Sequence, residues 1–402
     1  MTGLGQVSAL GTDLRSFSEA VFAGRPGVVR LAGLVCPGLD DPIGAAVKGF
    51  DAAAWLPARL LSTTSRSAQF ALAAARQAVA AAGLQGGPDS AGVYVGSGFG
   101  GIAETEETYR NCFARPGTRP KPSVIPMAMA NAPAGLVASE LQLRGPNLTL
   151  SVACSSATHA IGQALRLIRE GGAEAMLAGG TDAPLTPIVL AAWNVMRVLA
   201  PAGADPARAC RPFSRDRQGI VVGEGAAFLV LESLDSAERR GATALAEVLG
   251  YGANADAGHV THPDAKGIES CMALALEDAG LRPQAVSHVN AHGTGTEVND
   301  RLEAEAIAAL FGEHAARVAV SSTKAVHGHA MGASGALEAV AAVLAIVEGR
   351  VPPTANLDTI DPALPPLDFV VSSARQAPVE VALSNSFAFG GNNAVLALGR
   401  PR

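Results

Sequence analysis

The chain of 402 residues carries 30 Lys and Arg against 36 Asp and Glu, a formal net charge of −6 at pH 7. This acidic balance leaves no basic stripe for phosphate backbones, so we expect no nucleic-acid partner. The length exceeds that of one hydrophobic core, and 49% hydrophobic against 16% charged residues predicts a large buried fraction in two domains or a duplicated one.

Strand and helix patterns alternate along the chain, which predicts an α/β fold with mostly parallel sheets. The first predicted elements are a helix over 65–82, strands over 91–95 and 147–152, a helix over 157–169, and strands over 175–178 and 226–232. The order strand, loop, small-residue helix, strand, strand returns at 317–321, 333–347, 381–383 and 394–398. This weak repeat predicts two halves, residues 1–238 and 239–402, with the active site where they face each other.

Cysteine usage and the N-terminus favour a cytoplasmic protein. The five cysteines are scattered and never form a CxxC pair, which is typical of reduced thiols rather than a disulfide framework or a zinc site. Residues 1–5 lack the features of a secretion signal. The most apolar helical stretch, residues 336–347, is interrupted by Glu338 and is too short to span a bilayer, so we expect no membrane insertion.

Cys154 is the first candidate functional residue, because it opens the run ACSSATHAIG directly after a predicted strand. Free amide N–H groups and the helix dipole at a strand-to-helix turn lower the pKa of a thiol and stabilise negative charge, which suits a nucleophile. An inert core cysteine fits this segment equally well.

Three glycine-rich polar loops in the C-terminal half favour the nucleophile. NAHGTGT carries His292, SSTKAVHGH carries Lys324 and His329, and NSFAFGGNN surrounds Phe389 with backbone N–H donors. A cysteine, two strand-end histidines and an N–H donor loop together favour nucleophilic catalysis.

A metal site is a weaker interpretation of the same loops. Its candidate ligands would be His292, His327, His329 and Asp300. A nearby lysine disfavours a cation, and the spacing matches no ligand template, so we expect no metal.

The ordered motifs ACSSA, NAHGTGT, STKAVHGHAMGASG and NSFAFGG resemble those of the β-ketoacyl-acyl carrier protein synthases of the thiolase superfamily. The similarity runs from about residue 3 to the C-terminus. The Asn-Asp pair at 299–300, the SSTK…GH run and VPPTAN at 351–356 resemble type II polyketide or nodulation-type ketosynthases most closely. The resemblance implies a thiolase-like fold, with duplicated αβαβα halves forming a five-layered core. The first half would carry Cys154, and the second the His, Lys and gate loops.

The resemblance also implies a decarboxylative Claisen condensation, in fatty-acid or type II polyketide elongation. Cys154 would hold the acyl group, and neutral His292 and His329 would assist decarboxylation of malonyl-acyl carrier protein (malonyl-ACP). The backbone N–H groups of Cys154 and Phe389 would form the oxyanion hole, and Phe389 would act as a gate. Core packing is the structural alternative for Phe389.

Supporting roles follow from the same resemblance. Lys324 would keep the histidines neutral, paired with Glu303; a purely structural ion pair is as compatible. Thr294 and Thr296 would bind the phosphopantetheine arm, with ordinary turn polarity as the alternative. Thr105 would lie at the floor of the acyl pocket.

The implied partners are acyl carrier protein (ACP) and a second subunit, either another copy or a chain-length-factor-like protein. No bound cofactor is implied, since substrates arrive on the phosphopantetheine of ACP. His327 departs from the family pattern and is interpreted as structural. Candidate contacts for the acidic carrier are Arg59, Arg66, Arg208 and Arg211.

Three other functions remain open. A chain-length-determining partner subunit normally lacks the nucleophile, and a coenzyme A thiolase needs a second catalytic cysteine, for which only Cys271 lies in the second half. A dinucleotide-dependent oxidoreductase would use the GxGxxG match at 96–101, but no acidic residue follows at the required spacing.

Overall fold

The computed structural model describes residues 1–84, 91–115 and 117–401. Its strands are β1 (Gly3–Ser8), β2 (Val29–Arg30), β3 (Ile43–Gly44), β4 (Gly92–Gly96), β5 (Asn147–Leu150), β6 (Ala175–Asp182), β7 (Gly225–Glu232), β8 (Glu247–Ala255), β9 (His288–Asn290), β10 (Ala319–Ser321), β11 (Arg350–Val351), β12 (Asp368–Phe369), β13 (Arg375–Gln376), β14 (Val381–Ala388) and β15 (Asn392–Gly399). Its α-helices are α1 (Leu14–Phe22), α2 (Ala58–Leu61), α3 (Arg66–Ala82), α4 (Ile102–Ala114), α5 (Val124–Ala128), α6 (Ala132–Leu141), α7 (Ser156–Arg169), α8 (Pro187–Val195), α9 (Leu234–Arg239), α10 (Ala265–Asp278), α11 (Glu297–Phe311), α12 (Lys324–His327) and α13 (Ser334–Glu348).

Two large sheets repeat the same strand order. The first runs β5-β4-β6-β7-β1 and the second β10-β9-β14-β15-β8, with β12 added beside β10. In each sheet the first three of these strands are parallel and the last two are antiparallel to their neighbours. The internal repeat read from the sequence is therefore confirmed, while the sheets are mixed rather than mostly parallel. The first sheet lies within residues 3–232 and the second within 247–399.

Helices cover both sheets and separate them, which gives five layers. Helices α3 and α6 pack on the outer face of the first sheet, and α10 packs on that of the second, with α11 beside it. Between the sheets, α7 packs against α13. The predicted αβαβα duplication is thus the observed fold.

The central helix α13 carries apolar residues around its whole circumference, with Glu338 as the buried exception, as expected for a helix surrounded by protein. All residues from Ser334 to Ile346 are buried. The stretch Met331–Glu348 is longer than the apolar run 336–347 read from the sequence and is long and apolar enough to cross a membrane, but 89% of it is buried inside the fold. Its composition therefore reflects its place between the two sheets.

The GxGxxG match is explained by packing. A Cβ on Gly96 would lie 2.3 Å from the backbone N of Ala157 in α7, so only glycine fits there. Buried Asp182 accepts hydrogen bonds from the backbone N–H groups of Gly98 (2.9 Å) and Phe99 (3.0 Å), and from that of Gly332 in the other half (2.7 Å). The turn thus joins the halves, which removes the motif as support for a dinucleotide site.

Candidate active site

Cys154 lies between the end of β5 and the start of α7. The preceding residue, Ala153, has a φ of 49°, a left-handed conformation that costs energy for a residue with a side chain. Burial raises the pKa of the Cys154 thiol to about 11, although the charge of Lys324 and the backbone N–H of Phe389 lower it. The expectation that the turn alone would acidify this thiol is therefore wrong, because the protein packed around it outweighs the local effect.

His329 reaches Cys154 from the other half of the molecule, with 3.1 Å between its Nε2 and the Sγ. Its Nδ1 accepts the backbone N–H of Met331 (3.3 Å) and lies 2.9 Å from the hydroxyl of Ser334. A backbone N–H can only donate, so Nδ1 carries no proton and the neutral ring must present Nε2–H to the thiol.

His292 faces the same point with its ring perpendicular to that of His329 and the centroids 5.6 Å apart. Its Nδ1 lies 3.2 Å from Nζ of Lys324. An ammonium group can only donate, so Nε2 of His292 also carries the proton. Burial and the charge of Lys324 hold the pKa of both imidazoles well below the usual range. The site therefore offers two neutral N–H donors.

The carboxylate partner of Lys324 is Glu338 on α13, not Glu303 as predicted. Both side chains of this ion pair are fully buried, and burial raises the pKa of Glu338 to about 7. The predicted pairing is wrong because the carboxylate of Glu303 is already occupied. It accepts the backbone N–H groups of His292 (2.7 Å) and Gly293 (2.8 Å).

Glu303 therefore fixes the backbone that carries the first histidine. Its Oε1 also accepts Nδ2 of Asn385 on β14 at 3.1 Å, which joins α11, the end of β9 and β14. Burial raises the pKa of this carboxyl to about 7. Its function is positional, since every contact it makes here orients protein groups.

A cavity of about 450 Å³ runs from this cluster to the surface. Cys154, His292 and His329 line its buried end, and Thr294 and Thr296 line its wall with their hydroxyl oxygens 3.0 Å apart. The Phe389 ring also lines it and packs against Trp193 of α8, with the ring centroids 5.7 Å apart and the ring planes tilted by 38°. These predicted residues are brought together in one place.

Other predicted residues lie elsewhere. Thr105 lies on α4, donates to the carbonyl of Gly101 at 2.8 Å and does not line this cavity. His327 is buried, with Nδ1 2.7 Å from the carbonyl of Gly328 and Nε2 3.1 Å from the hydroxyl of Thr323. The four candidate carrier contacts each pair with a carboxylate: Arg59 with Glu140, Arg66 with Glu224, Arg208 with Asp358 and Arg211 with Asp216.

The interpretation of the loops as a metal site gains no support from the geometry. Asp300 accepts the backbone N–H groups of Phe213 (2.8 Å) and Gly295 (3.1 Å). Within residues 1–84, 91–115 and 117–401, no group of three or more His, Cys, Asp or Glu side chains could hold a metal ion.

Sequence reasoning missed two arginines of this cavity. Arg217 is almost fully buried, pairs with Asp361 at 2.7 Å, and donates from Nε to the carbonyl of Thr296 at 3.3 Å. Arg197 lines the exposed end of the cavity. The signal was available in the cluster of arginines between residues 197 and 217, but only the fold shows which of them face the cavity.

Comparison with known families agrees with this geometry. "Beta-ketoacyl synthase, N-terminal domain" matches residues 1–237, and "Beta-ketoacyl synthase, C-terminal domain" matches residues 245–358. The chain belongs to the β-ketoacyl synthase family. The resemblance found in the sequence motifs is thus confirmed, and with it the acyltransferase class.

Named relatives cover the whole chain. It is 41% identical to "3-oxoacyl-[acyl-carrier-protein] synthase 2" of Coxiella burnetii, over 100% of this chain and 98% of the relative. It is 46% identical to "Nodulation protein E" of Rhizobium meliloti, over 99% and 98%. The solved structure "The ishigamide ketosynthase/chain length factor" superposes with a TM-score of 0.93 at 36% identity, covering 100% and 98%.

A coenzyme A thiolase would need a second catalytic cysteine beside Cys154, and Cys271 does not lie there. Cys271 is buried in α10 and does not line the cavity, and its Sγ lies 3.5 Å from the carbonyl of Gly252. Burial raises the pKa of this thiol to about 12. Cys271 is therefore a core residue.

Proposed function

We propose that this chain is a β-ketoacyl-acyl carrier protein synthase, which elongates an acyl group on Cys154 by decarboxylative condensation with malonyl-ACP. The observation that carries the proposal is the convergence of Cys154, His292 and His329, from both halves, on one cavity. Each imidazole presents Nε2–H to that cavity. The proposed halves are residues 1–238 and 239–402.

The first half-reaction is a thioester exchange. The Sγ of Cys154 attacks the carbonyl carbon of an acyl-ACP thioester, and the developing oxyanion accepts hydrogen bonds from the backbone N–H groups of Cys154 and Phe389. The carrier sulfur leaves and takes up the proton lost by the thiol. Acyl-Cys154 and free carrier thiol are the products, so atoms and charge balance.

The second half-reaction forms the carbon–carbon bond. The carboxylate of malonyl-ACP leaves as CO₂, and its electron pair becomes an enolate whose oxygen accepts Nε2–H of both His292 and His329. The enolate carbon attacks the acyl carbonyl on Cys154, and the cysteine sulfur leaves and takes up one proton. Neutral imidazoles suit this step, because they donate without binding the malonyl carboxylate as cations would.

Lys324 and Glu338 keep His292 in the tautomer that carries its proton on Nε2. Lys324 donates to Nδ1 of His292, and its own charge is balanced by Glu338. Removal of either donor to the enolate should cost roughly 10²–10³ in rate, as for other preorganised oxyanion donors.

Substrates would reach the cavity on the phosphopantetheine of ACP, the carrier in the name of the relative from Coxiella burnetii. Thr294 and Thr296 on the cavity wall would hydrogen-bond the arm. No bound cofactor is then needed. We place the enzyme in the cytoplasm, where its five free cysteines would stay reduced.

A second subunit would cover an exposed apolar face. Large apolar side chains stand exposed on α4, α5, β5 and α8: Tyr109, Phe113, Ile125, Leu148, Ile188 and Val195. β5 is also the edge strand of its sheet, so its outer backbone groups are open to pairing. Thr105 on α4 would then border an acyl pocket completed by the partner. The partner is another copy or a chain-length-factor-like subunit, as named in the ishigamide structure.

Reconstitution tests the function. The purified chain is incubated with acyl-ACP and malonyl-ACP carrying a labelled carboxyl, and CO₂ and 3-oxoacyl-ACP are measured. Stoichiometric formation of both supports the proposal. No product, with or without a chain-length-factor-like subunit, would overturn it. A product that survives Cys154→Ala would instead reassign the chain as a non-catalytic partner of a contaminating ketosynthase.

A further inference from the structure

Asp182 is a buried carboxylate that takes no part in the proposed reaction steps. It ends β6 and is fully buried. Its Oδ1 accepts the hydroxyl of Ser97 at 2.9 Å and the backbone N–H of Phe99 at 3.0 Å. Its Oδ2 accepts the backbone N–H groups of Gly98 at 2.9 Å and Gly332 at 2.7 Å. These four partners are uncharged donors, so each oxygen of the carboxylate holds two protein groups.

An amide could not take the place of this carboxylate. Burial raises the pKa of Asp182 to about 6, although its hydrogen bonds lower it, so the group is ionised at neutral pH. A backbone N–H points at each of its two oxygens. Either orientation of an asparagine amide would set its NH2 group against one of these donors and leave a buried N–H unpaired.

Gly332 lies between the two groups that hold the ring of His329. The backbone N–H of Met331 donates to Nδ1 of His329 at 3.3 Å, and the hydroxyl of Ser334 lies 2.9 Å from the same nitrogen. Met331 has a φ of 50°, a conformation that costs energy for a residue with a side chain. Because Asp182 binds the next N–H along the chain, that of Gly332, it holds this strained turn in place.

The same turn is found at the nucleophile in the first half. Ala153 has a φ of 49° and Met331 a φ of 50°, and each opens a short 3₁₀ turn that leads into a central helix, α7 or α13. Gly332 therefore takes the place in the second half that Cys154 takes in the first. A Cβ on Gly332 would lie 2.6 Å from Oδ2 of Asp182, so no side chain fits there. The N–H of Gly332 binds a carboxylate oxygen, as the N–H of Cys154 would bind the oxyanion in the proposed reaction.

We propose that Asp182 is a positioning residue for decarboxylation, which keeps His329 directed at the enolate by anchoring the backbone of Gly332. The inference rests on the proposed function, in which Nε2–H of His329 donates to the enolate oxygen. A displaced turn would move the N–H of Met331 and the hydroxyl of Ser334 away from Nδ1, so the ring would lose its orientation. Misplacement of a reacting group by about 1 Å can cost roughly 10²-fold in rate.

The test is a double-mutant cycle of Asp182→Asn and His329→Ala. Two rates are measured: acyl transfer from acyl-ACP to Cys154 in a single turnover, and release of labelled CO₂ from malonyl-ACP by the acylated enzyme. Asp182→Asn alone should lower CO₂ release about ten- to hundredfold and change acyl transfer by less than about threefold. In the His329→Ala background it should lower CO₂ release by less than about threefold, because the group that it positions is absent.

Glu232→Gln is the matched control, because the buried carboxylate of Glu232 accepts Nε of Arg240 at 2.7 Å and does not line the cavity. This control should lose stability in urea without losing CO₂ release per folded molecule. Gly98→Ala is a second test variant, which keeps the charge of Asp182 but places a Cβ 3.2 Å from its Oδ2. It should lower CO₂ release more than acyl transfer, by a smaller factor than Asp182→Asn, and it supplies the test if Asp182→Asn does not fold.

Equal losses of acyl transfer and CO₂ release in the Asp182 and Gly98 variants overturn the inference. So does a loss from Asp182→Asn in the His329→Ala background as large as its loss in the otherwise unaltered protein. Absence of CO₂ and 3-oxoacyl-ACP from the unaltered protein would instead count against the proposed function, so the two failures are distinguishable.

Discussion

Nε2 of His329 lies 3.1 Å from Sγ of Cys154, although the two residues are 175 positions apart in the chain. Cys154 follows β5 in the first half, and His329 lies between β10 and α13 in the second half. The contact forms only where the duplicated halves face each other. Because Nδ1 of His329 is an acceptor, this contact presents a donor, and not a base, to the sulfur.

Because His329 presents an N–H donor to the sulfur, its removal should affect the two half-reactions differently. In His329→Ala, acyl transfer from acyl-ACP to Cys154 should persist, while CO₂ release from malonyl-ACP should fall by roughly 10²–10³. Acyl transfer is measured by the mass of the intact protein in a single turnover, and decarboxylation by labelled CO₂. An equal loss in both steps would show that His329 removes the thiol proton. His314→Ala serves as the control outside the cavity.

Removal of Lys324 should destabilise the fold. Lys324→Met leaves Glu338 buried without its partner, which should cost about 3–5 kcal/mol of unfolding free energy. Lys324→Met combined with Glu338→Leu removes both charges and should recover part of that loss. Urea denaturation of the three proteins measures the effect. A double variant no more stable than Lys324→Met would contradict the buried pair.

His288 should make the protein sensitive to acid. Burial lowers the pKa of His288 to about 3, whereas an unfolded histidine titrates near 6.5. Below pH 6.5 the unfolded chain gains a proton that the native protein does not, so this stabilising contribution is complete above pH 6.5 and is lost as the pH falls towards 3. Between pH 6.5 and 5 the loss is about 2 kcal/mol.

His288→Gln should remove that dependence. The free energy of unfolding is measured in urea at pH 7.5, 6.5 and 5.0, and the variant should show a shallower decline whatever its stability at pH 7.5. His314→Gln, at a partly exposed histidine, is the control. Identical slopes for the unaltered protein and His288→Gln would refute the assignment.

Gly335 lets the two central helices approach each other. A Cβ there would lie 2.0 Å from Oγ1 of Thr158 on α7. Gly335→Ala should therefore lower the free energy of unfolding by about 1–3 kcal/mol. Gly135→Ala in α6, where no atom lies within 4 Å of the added carbon, should leave stability unchanged or raise it by up to about 1 kcal/mol. Equal effects of the two substitutions would contradict the close helix contact.

The sequence predicted the reacting groups better than their electrostatics. Cys154 and His292 stand in motifs that closely follow strands β5 and β9, so their convergence could be anticipated, whereas His329 is carried to them by the loop after the short helix α12. Glu338 appeared only as a charge interrupting an apolar helix, and nothing local showed that its helix would cross Lys324. The raised pKa of Cys154 was missed for the same reason, since burial comes from distant segments.

The fold, like the site, was predicted from the sequence only in part. Alternating strand and helix patterns predicted the repeat, but not the antiparallel strands β7, β1, β15 and β8 on one side of each sheet. Local periodicity identifies a strand without giving the direction of its neighbour. Thr105 was assigned to the pocket floor by resemblance, and its place in α4 leaves that assignment dependent on the proposed subunit contact.

The central claim is that Cys154 carries the acyl group. The most direct measurement is peptide mapping by mass spectrometry after incubation with acyl-ACP, followed by a chase with malonyl-ACP. We predict acyl mass on the peptide containing Cys154, its disappearance in the chase as 3-oxoacyl-ACP forms, and no label in Cys154→Ala. Acyl mass on Cys36, Cys112, Cys210 or Cys271 instead, or 3-oxoacyl-ACP formed by Cys154→Ala, would contradict the account.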